Sequence, residues 1–529
     1  MTTGTAGPRT GPATFDGFVH ADGDRLADGA GRRLQWRGMG LGNWLLPEGY
    51  MWVLTDGPQS PRAIESMVST LVGPSRATEF WRRFRDVFVA EADIARLAAE
   101  GFDHVRLAIN ARVVMSDDGA PLDDGLALVD RLIDWCRAHR LWVVLDLHGA
   151  PGGQTGTNID DAPNGRPELF EDAGHRERTI ELWTMLARRY RDETVVAGYD
   201  LLNEPIPNDY QHHYADDLAR LYRDLTTAIR AVDPNHLIIY EGSHWATNWS
   251  IFTEVWDPNS MLQFHKYWSP PDRPSIQQYL DARTRLGLPI YMGEGGENGL
   301  DWFQTMFQLL EDHEIGWNFW PWKKIDTATS PCSIDPPPGW PALTAWAAGR
   351  APQPEADDAW KILDDLLDRM RLERCTYRPE VVGAMLRRAP LHLPATGFAF
   401  GTAGSSRPDD ARPFPGFRSD DAVTIRFCGD GDPVWTHDPN RRYADQFEVV
   451  LDAGDWVEYE VSLGGPAVLD VEVELRGDAI PDLALDGVAL ATSGRTGRYR
   501  TPAPVTAGTH RLRVTATSDE TALVGLEVT

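Results

Sequence analysis

A (β/α)8 TIM barrel followed by a smaller antiparallel β-sandwich is predicted by three observations. Eight short apolar runs recur between residues 34 and 320, and amphipathic segments of helical period lie between them. From about residue 395 the helical pattern gives way to closely spaced alternation of period two.

Residues 1–17 form an N-terminus expected to be disordered, residues 1–14 being rich in Gly, Pro and Thr. Residues 18–36 (FVHADGDRLADGAGRRLQW) place turn residues between strand-like pieces and predict a short hairpin. The barrel strands are then expected at LQWRG (34–38), DHVRLAI (103–109), LWVVLDL (141–147), AGYDLL (197–202), HLIIY (236–240), MLQFH (261–265), PIYMG (289–293) and IGWNFW (315–320). Helices are expected at 79–100, 125–139, 173–191, 210–232, 275–286 and 301–313, which makes the connections crossovers between parallel strands. Eight such units fit a closed barrel with loop insertions. A doubly wound open sheet is the rival, and the pattern of polar strand ends decides against it. A linker at 350–358 leads into a helical stretch near 360–389, so the barrel and its trailing helices span 18–390. In 395–529, QFEVVLDA, DWVEYEVSL, AVLDVEVEL and THRLRVTAT alternate as strands of a sandwich.

Composition bounds the partners. The 529 residues suggest two or three domains, and a formal net charge of −28 argues against nucleic acid or an anionic membrane, both of which need basic footprints. Lysine occurs only at Lys266, Lys323, Lys324 and Lys361, which reads as genome composition. Cys136, Cys332, Cys375 and Cys428 lack metal-ligand spacing; a disulfide framework is not expected, with a Cys332–Cys375 pairing left open. No charged segment followed by an apolar one opens the chain, and no apolar run is long enough to span a bilayer. A cytoplasmic protein is therefore expected, or a secreted one if an upstream signal has been removed. Oligomeric state is not legible.

Barrel active sites form at the C-terminal ends of the strands. In order, those ends offer Asn43 and Glu48, Arg106, His148, Asn203 and Glu204, Glu241 and His244, His265 and Tyr267, Glu294, and Trp320. Glu204 and Glu294, on the fourth and seventh strands, are the pair that retaining glycoside cleavage requires. One carboxylic acid protonates the leaving oxygen and the other, about 5–5.5 Å away, attacks the anomeric carbon. Glu204 is expected to be the general acid/base and Glu294 the nucleophile, with Arg106 keeping Glu294 charged. Asn203 suits a hydrogen bond to a sugar 2-OH, Tyr267 could orient the nucleophile, and Trp320 offers an aromatic floor. Among the 20 tryptophans, Trp44, Trp52, Trp245, Trp249, Trp268, Trp320 and Trp322 fall in post-strand segments where sugars could stack, whereas Trp135 and Trp183 sit on helical faces.

These motifs carry a resemblance. LLNEP (201–205), GEGG (293–296), the Arg of HVRL (104–107), His148 of DLHGAPGG, His265 and Tyr267 of HKYW, and Trp320 resemble the active-site pattern of glycoside hydrolase family 5, over about residues 18–350. The resemblance implies a retaining barrel glycosidase with acid/base and nucleophile glutamates on strands four and seven, and no cofactor or metal. RGMGLGNWLLPEGY resembles the first-strand segment of the exo-β-1,3-glucanase branch, which implies that Glu48 holds the terminal sugar. The C-terminal region resembles family 6 and family 35 carbohydrate-binding modules, but ends ALVGLEVT without their sugar-binding Asn. Binding and purely structural roles both stay open for it.

Plainer readings stand beside these. Arg106 also fits a structural ion pair, His148 and His265 also fit polar residues lining the rim, and Glu48 also fits a surface carboxylate. GMGLG (38–42) is no dinucleotide fingerprint, since Asn43 replaces the third glycine. Adjacent His212 and His213 point apart on a helix and suit one metal poorly. The leading expectation is exo action on β-glycosides or short oligosaccharides, with glucoside, galactoside, mannoside and furanosides open. An endo-acting β-glucanase and a non-catalytic carbohydrate-binding barrel are the alternatives. A metal-dependent barrel hydrolase would need a His-x-His after the first strand that is not there.

Overall fold

Eight parallel strands close on themselves: β1 (Arg37–Gly40), β2 (His104–Asn110), β3 (Trp142–Gly149), β4 (Val196–Asp200), β5 (Leu237–Glu241), β6 (Ser260–Lys266), β7 (Ile290–Gly296) and β8 (Gly316–Trp320), with β8 pairing back to β1. The computed structural model describes residues 15–405, 411–414, 418, 421–429, 444–492 and 497–529; of the disorder expected for residues 1–17, residues 1–14 lie outside them, while Phe15 sits with its ring 6.3 Å from Trp142. The (β/α)8 barrel and the antiparallel C-terminal sheets are thus as expected. All eight strands match an apolar run of the sequence to within a few residues, because strands buried on both faces must be nearly continuous in apolar character.

Helix boundaries differ more. The expected helix at 79–100 is two, Pro74–Val87 and Glu91–Glu100, parted where Asp93 turns its carboxylate back to the Ala90 amide and starts a new helix. An unpredicted helix, Pro61–Val72, precedes them, capped by Ser60 with Pro at its first position. The 360–389 stretch is likewise two helices, Ala356–Arg369 and Pro379–Leu386, separated by a strand pair of Cys332–Ile334 with Thr376–Tyr377. All four cysteines are free, Cys332 and Cys375 included.

The barrel interior is layered. At its N-terminal end, Trp36, Trp142, Val144, Ile239, Met261 and Tyr291 pack with Val19 and Leu26 of the N-terminal segment. That segment is a three-stranded antiparallel sheet (His20–Asp22, Arg25–Ala27, Arg33–Leu34), one strand more than the expected hairpin, and it plugs the barrel floor. His104 stands just above, its ring 4.7 Å from Trp36 and its Nε2 2.5 Å from the Tyr291 hydroxyl. The next layer is polar rather than branched and apolar, as barrels usually are there: Arg106, Asp146, Asp200 and Gln263 are all fully buried.

Burial, and then the Arg106 charge, lower the His104 pKa from 6.5 to about 3. The unfolded chain therefore takes up a proton below pH 6.5 that the folded chain refuses until about pH 3. Stability is full above 6.5 and is lost as the pH falls through that window. His104→Gln, which keeps a polar group within reach of Tyr291, is expected to flatten the fall of Tm between pH 6.5 and 4. An unchanged slope would exclude His104 as its source.

After the last helix the chain enters two antiparallel sheets with their own apolar core, including Phe398, Phe447, Tyr459, Leu512 and Leu526. Strands Phe447–Leu451, Asp470–Arg476 and Thr521–Val528 belong to one sheet, Trp456–Leu463 and Gly508–Thr515 to the other. The sandwich is fastened to the helix Leu300–Asp312 that follows β7. The Ala444 amide donates to Asp301 Oδ2 (3.0 Å) at one end, and the Phe400 amide to Asp312 Oδ2 (2.6 Å) at the other. Between them, buried Arg387 donates through Nη2 to Glu311 of that helix (2.5 Å) and to Glu460 of the sandwich (2.6 Å).

Candidate active site

Arg106, pointing inward from β2, is the centre from which the site is built. Its Nε donates to Asp200 Oδ2 (2.8 Å), its Nη1 to Glu294 Oε1 (2.5 Å), and its Nη2 to Asn203 Oδ1 (2.9 Å) and Glu241 Oε1 (3.0 Å); Asp146 Oδ1 lies 3.1 Å from Nη2. Four carboxylates on four strands thus converge on one guanidinium.

Burial works against ionising all four at once. Burial raises Asp146 to about 8 and pushes Asp200 well above the ordinary carboxylate range, Arg106 only partly offsetting it. Burial works the same way on Glu241, but His265 and Arg106 outweigh it and hold that carboxyl low. His265 is the complement: burial disfavours its charge, yet Glu241 and Glu294 raise its pKa well above 6.5. For Glu294 burial wins and the net direction is upward, with His265 and Arg106 pulling back. Arg106 alone therefore does not fix the charge of Glu294; the sequence reading counted the cation and not the burial.

A shift of register in β7 between Met292 and Glu294 re-aims the chain where Glu294 emerges. There the Tyr267 hydroxyl donates to Glu294 Oε2 (2.8 Å). Glu204 follows β4 with a left-handed backbone (φ 43°), its amide donating to Glu241 Oε2 (2.7 Å) and its Oε1 lying 2.8 Å from His265 Nδ1. His148 Nδ1 bonds Asp146 Oδ2 (2.7 Å), which leaves Nε2 as acceptor for Asn203 Nδ2 at 3.3 Å; burial lowers the His148 pKa to about 4, so the ring is neutral at neutral pH. Trp320 stacks on His148 with ring centres 5.1 Å apart and donates to the Tyr50 hydroxyl. Two glycines of the first strand segment make room for it: a Cβ at Gly40 would lie 2.4 Å, and one at Gly42 2.5 Å, from the Trp320 ring.

A cavity of about 710 Å3 opens above this layer. Glu48, His148, Glu204, His265, Tyr267, Glu294 and Trp320 line it, so seven of the nine residues expected to serve the chemistry meet at one opening. Arg106 and Asn203 lie beneath, buried against them. Asn203 has its carbonyl on Arg106 and its amide on His148. His244 reaches the cavity, whereas Glu241 is fully buried under it and cannot touch a substrate there. Asn43 is structural: its Oδ1 accepts from Trp52 Nε1 (2.7 Å) and the Glu48 amide (3.3 Å).

The tryptophans divide. Trp245, Trp268 and Trp320 line the cavity, but Trp44, Trp52, Trp249 and Trp322 are buried with their indole N–H groups bonded to Arg85 O, Asn43, the backbone oxygens of Ala246 and Gln263, and Asp93. Their positions after strands suggested stacking; a buried N–H that needs a partner explains them better. Sequence reasoning also passed over Asp146, Asp200, Gln263, Tyr50 and Glu297. The first two were visible as charges inside apolar runs, LDL and YDL, a pattern that burial tolerates only with a partner. Glu297 faces the cavity and pairs with Lys324 (2.6 Å).

One donor atom from each of Glu204, His265 and Glu294 lies within 4.8 Å of the other two. A cation could fit such a trio, but Arg106 and Tyr267 already hold Glu294, and His265 already holds Glu204. What the arrangement offers is two carboxylates facing one cavity in different surroundings.

Comparison with known proteins adds an independent finding. The sequence model of the cellulase family (glycosyl hydrolase family 5) matches residues 69–326. The chain is 32% identical over 351 residues to a β-xylosidase of Phanerodontia chrysosporium, covering 58% of this chain and 71% of that protein. It is 26% identical to endoglucanase C of Acetivibrio thermocellus (47% of this chain, 88% of that one). It is also 30% identical to a probable glucan 1,3-β-glucosidase A of Emericella nidulans (49% and 66%).

Proposed function

Because the chain belongs to glycoside hydrolase family 5, and is a glycosidase that hydrolyses O-glycosyl compounds, we propose that it retains anomeric configuration by double displacement, with Glu204 as acid/base and Glu294 as nucleophile. The observation that carries this reading is the approach of the two carboxylates. An oxygen of each lies within 4.8 Å of the other, which fits the spacing of about 5–5.5 Å used in double displacement and not the roughly 6.5–9.5 Å that admits a water between them.

In the first step Glu294 attacks the anomeric carbon from one face of the sugar while Glu204 gives its proton to the leaving oxygen. In the second, Glu204 takes a proton from water, which displaces Glu294. Tyr267 and Arg106 hold the two oxygens of Glu294, so the attacking lone pair is presented in one direction. Exo action on β-glycosides or short oligosaccharides is the favoured mode. Glu48, Tyr50 and Glu297 line the cavity together with Trp320, polar groups that suit the hydroxyls of a terminal sugar and support this reading.

The test is a screen of aryl β-glucosides, xylosides, galactosides, mannosides and furanosides with Glu204→Ala. On a dinitrophenyl glycoside, azide is expected to accelerate turnover of this variant and to yield a glycosyl azide of retained configuration. Absence of azide acceleration, or an inverted product, would remove Glu204 from the acid/base role.

A further inference from the structure

Building on that assignment of Glu204, we propose that Glu241 is a positioning residue for the acid/base step, clamping Glu204 through its backbone and through His265. Glu241 ends β5 and is fully buried. Its Oε2 accepts from the Glu204 amide at 2.7 Å, and its Oε1 accepts from Arg106 Nη2 at 3.0 Å and Gln263 Nε2 at 2.5 Å. His265 Nε2 lies 3.4 Å from the same Oε1, while its Nδ1 is 2.8 Å from the Glu204 carboxylate. The Tyr222 hydroxyl donates to the Glu241 carbonyl (3.0 Å), which pins the backbone at the same residue.

The clamp answers a specific need. Glu204 sits at φ 43°, in a left-handed conformation that residues with a Cβ avoid and keep only when the surroundings impose it. Nothing in N-E-P itself enforces that twist; an acceptor placed on the amide does. The second contact acts on the side chain. A buried imidazole stays cationic only beside carboxylates, and the ring turns Nδ1 to Glu204 while its Nε2 lies 3.4 Å from Glu241 Oε1 and 3.1 Å from Gln263 Nε2. Glu241 thereby governs both where the Glu204 carboxyl stands and what stands next to it. Because Arg106 also contacts Glu241, a plainer role exists, that of balancing buried charge, and the two roles predict different damage.

The distinction is read from the leaving group. In kcat/KM for the first step, a phenyl glycoside needs proton donation and a 2,4-dinitrophenyl glycoside hardly does. Glu241→Gln keeps the shape and loses the charge; Glu241→Asp keeps the charge and loses the reach. Both are made in the full chain, checked by circular dichroism and Tm, and assayed on the two aryl glycosides of the sugar turned over best. For a folded variant the expected result is a fall of about 100-fold on the phenyl glycoside against less than about 5-fold on the dinitrophenyl one, within the range of general-acid contributions. An equal fall on both substrates, a fall below about 3-fold on the phenyl glycoside, or failure of both variants to fold would overturn the proposal. Glu204→Ala run in parallel keeps the two ideas apart. If it too lacks the leaving-group dependence, the assignment of Glu204 fails; if it shows it and the Glu241 variants do not, only the clamp fails.

Discussion

Glu294→Gln is expected to lower kcat on aryl glycosides by about 10⁵-fold, roughly 7 kcal/mol of barrier, with Tm nearly unchanged. The amide has the size of the carboxylate and keeps an oxygen for Arg106 or Tyr267, so the buried network around Arg106 retains most of its partners. What disappears is the group proposed to attack the sugar. Proton donation and substrate binding remain and account for the residual rate, since groups that act together in one step do not contribute additively. A variant that kept most of the wild-type kcat would end the double-displacement reading, whatever Glu204 did.

The largest expected change in stability comes from the far side of the molecule. Arg387→Met is expected to destabilise the chain by about 3 kcal/mol, because it takes the nearest counter-ion from two buried carboxylates and leaves Glu311 with Arg37 and Glu460 with Arg511 at 3.4 Å. Arg387 is 1% exposed, and its partners Glu311 and Glu460 are 8% and 13% exposed. Burial opposes its charge, but the two glutamates more than compensate and hold it protonated. Glu311 also takes both Arg37 Nε and Nη2 (2.6 Å each) and Trp317 Nε1 (2.9 Å), so the network joins β1, β8, the helix after β7 and a sandwich strand. The measurement is urea unfolding followed by tryptophan fluorescence. Adding Glu460→Leu should recover part of the loss by removing a buried carboxylate left with only the more distant Arg511. A midpoint shift equivalent to less than about 0.5 kcal/mol would show that water reaches the site and that the sandwich is held otherwise.

That network bears on the C-terminal region. Its two polar ties to the ends of one helix and its shared arginine describe a domain built into the barrel's flank. The sequence likeness to carbohydrate-binding modules rests on the cadence of strands, and cadence reports sheet geometry rather than what the sheet's face meets.

The same limit governs what could be read from the residues elsewhere. The eight strands were legible because each is a short apolar run, and the cavity-lining set because a barrel orders its strand ends. Asp146, Asp200 and Gln263 were not, since their meaning lies in partners on other strands, Arg106 above all, dozens of residues distant in the chain. Glu241 is legible only as a polar strand end; its burial beneath Glu204 reveals which way it faces. Helix breaks at Phe88–Ala90 and Leu372–Tyr377 were hidden because apolar periodicity continues across them while the chain turns.

The glycines under Trp320 carry one more consequence. With Gly40 and Gly42 against the indole and His148 stacked upon it, the ring has nowhere to recede, and the barrel beneath is filled by side chains down to its plugged end. The depth of the cavity is therefore a fixed quantity of the scaffold. Descendants of this sequence that acquire larger or differently branched substrates must gain room sideways, in the segments after β3, β5 and β6 that carry Ile159, Trp245 and Trp268. Those loops are where variation can accumulate without disturbing the paired glutamates.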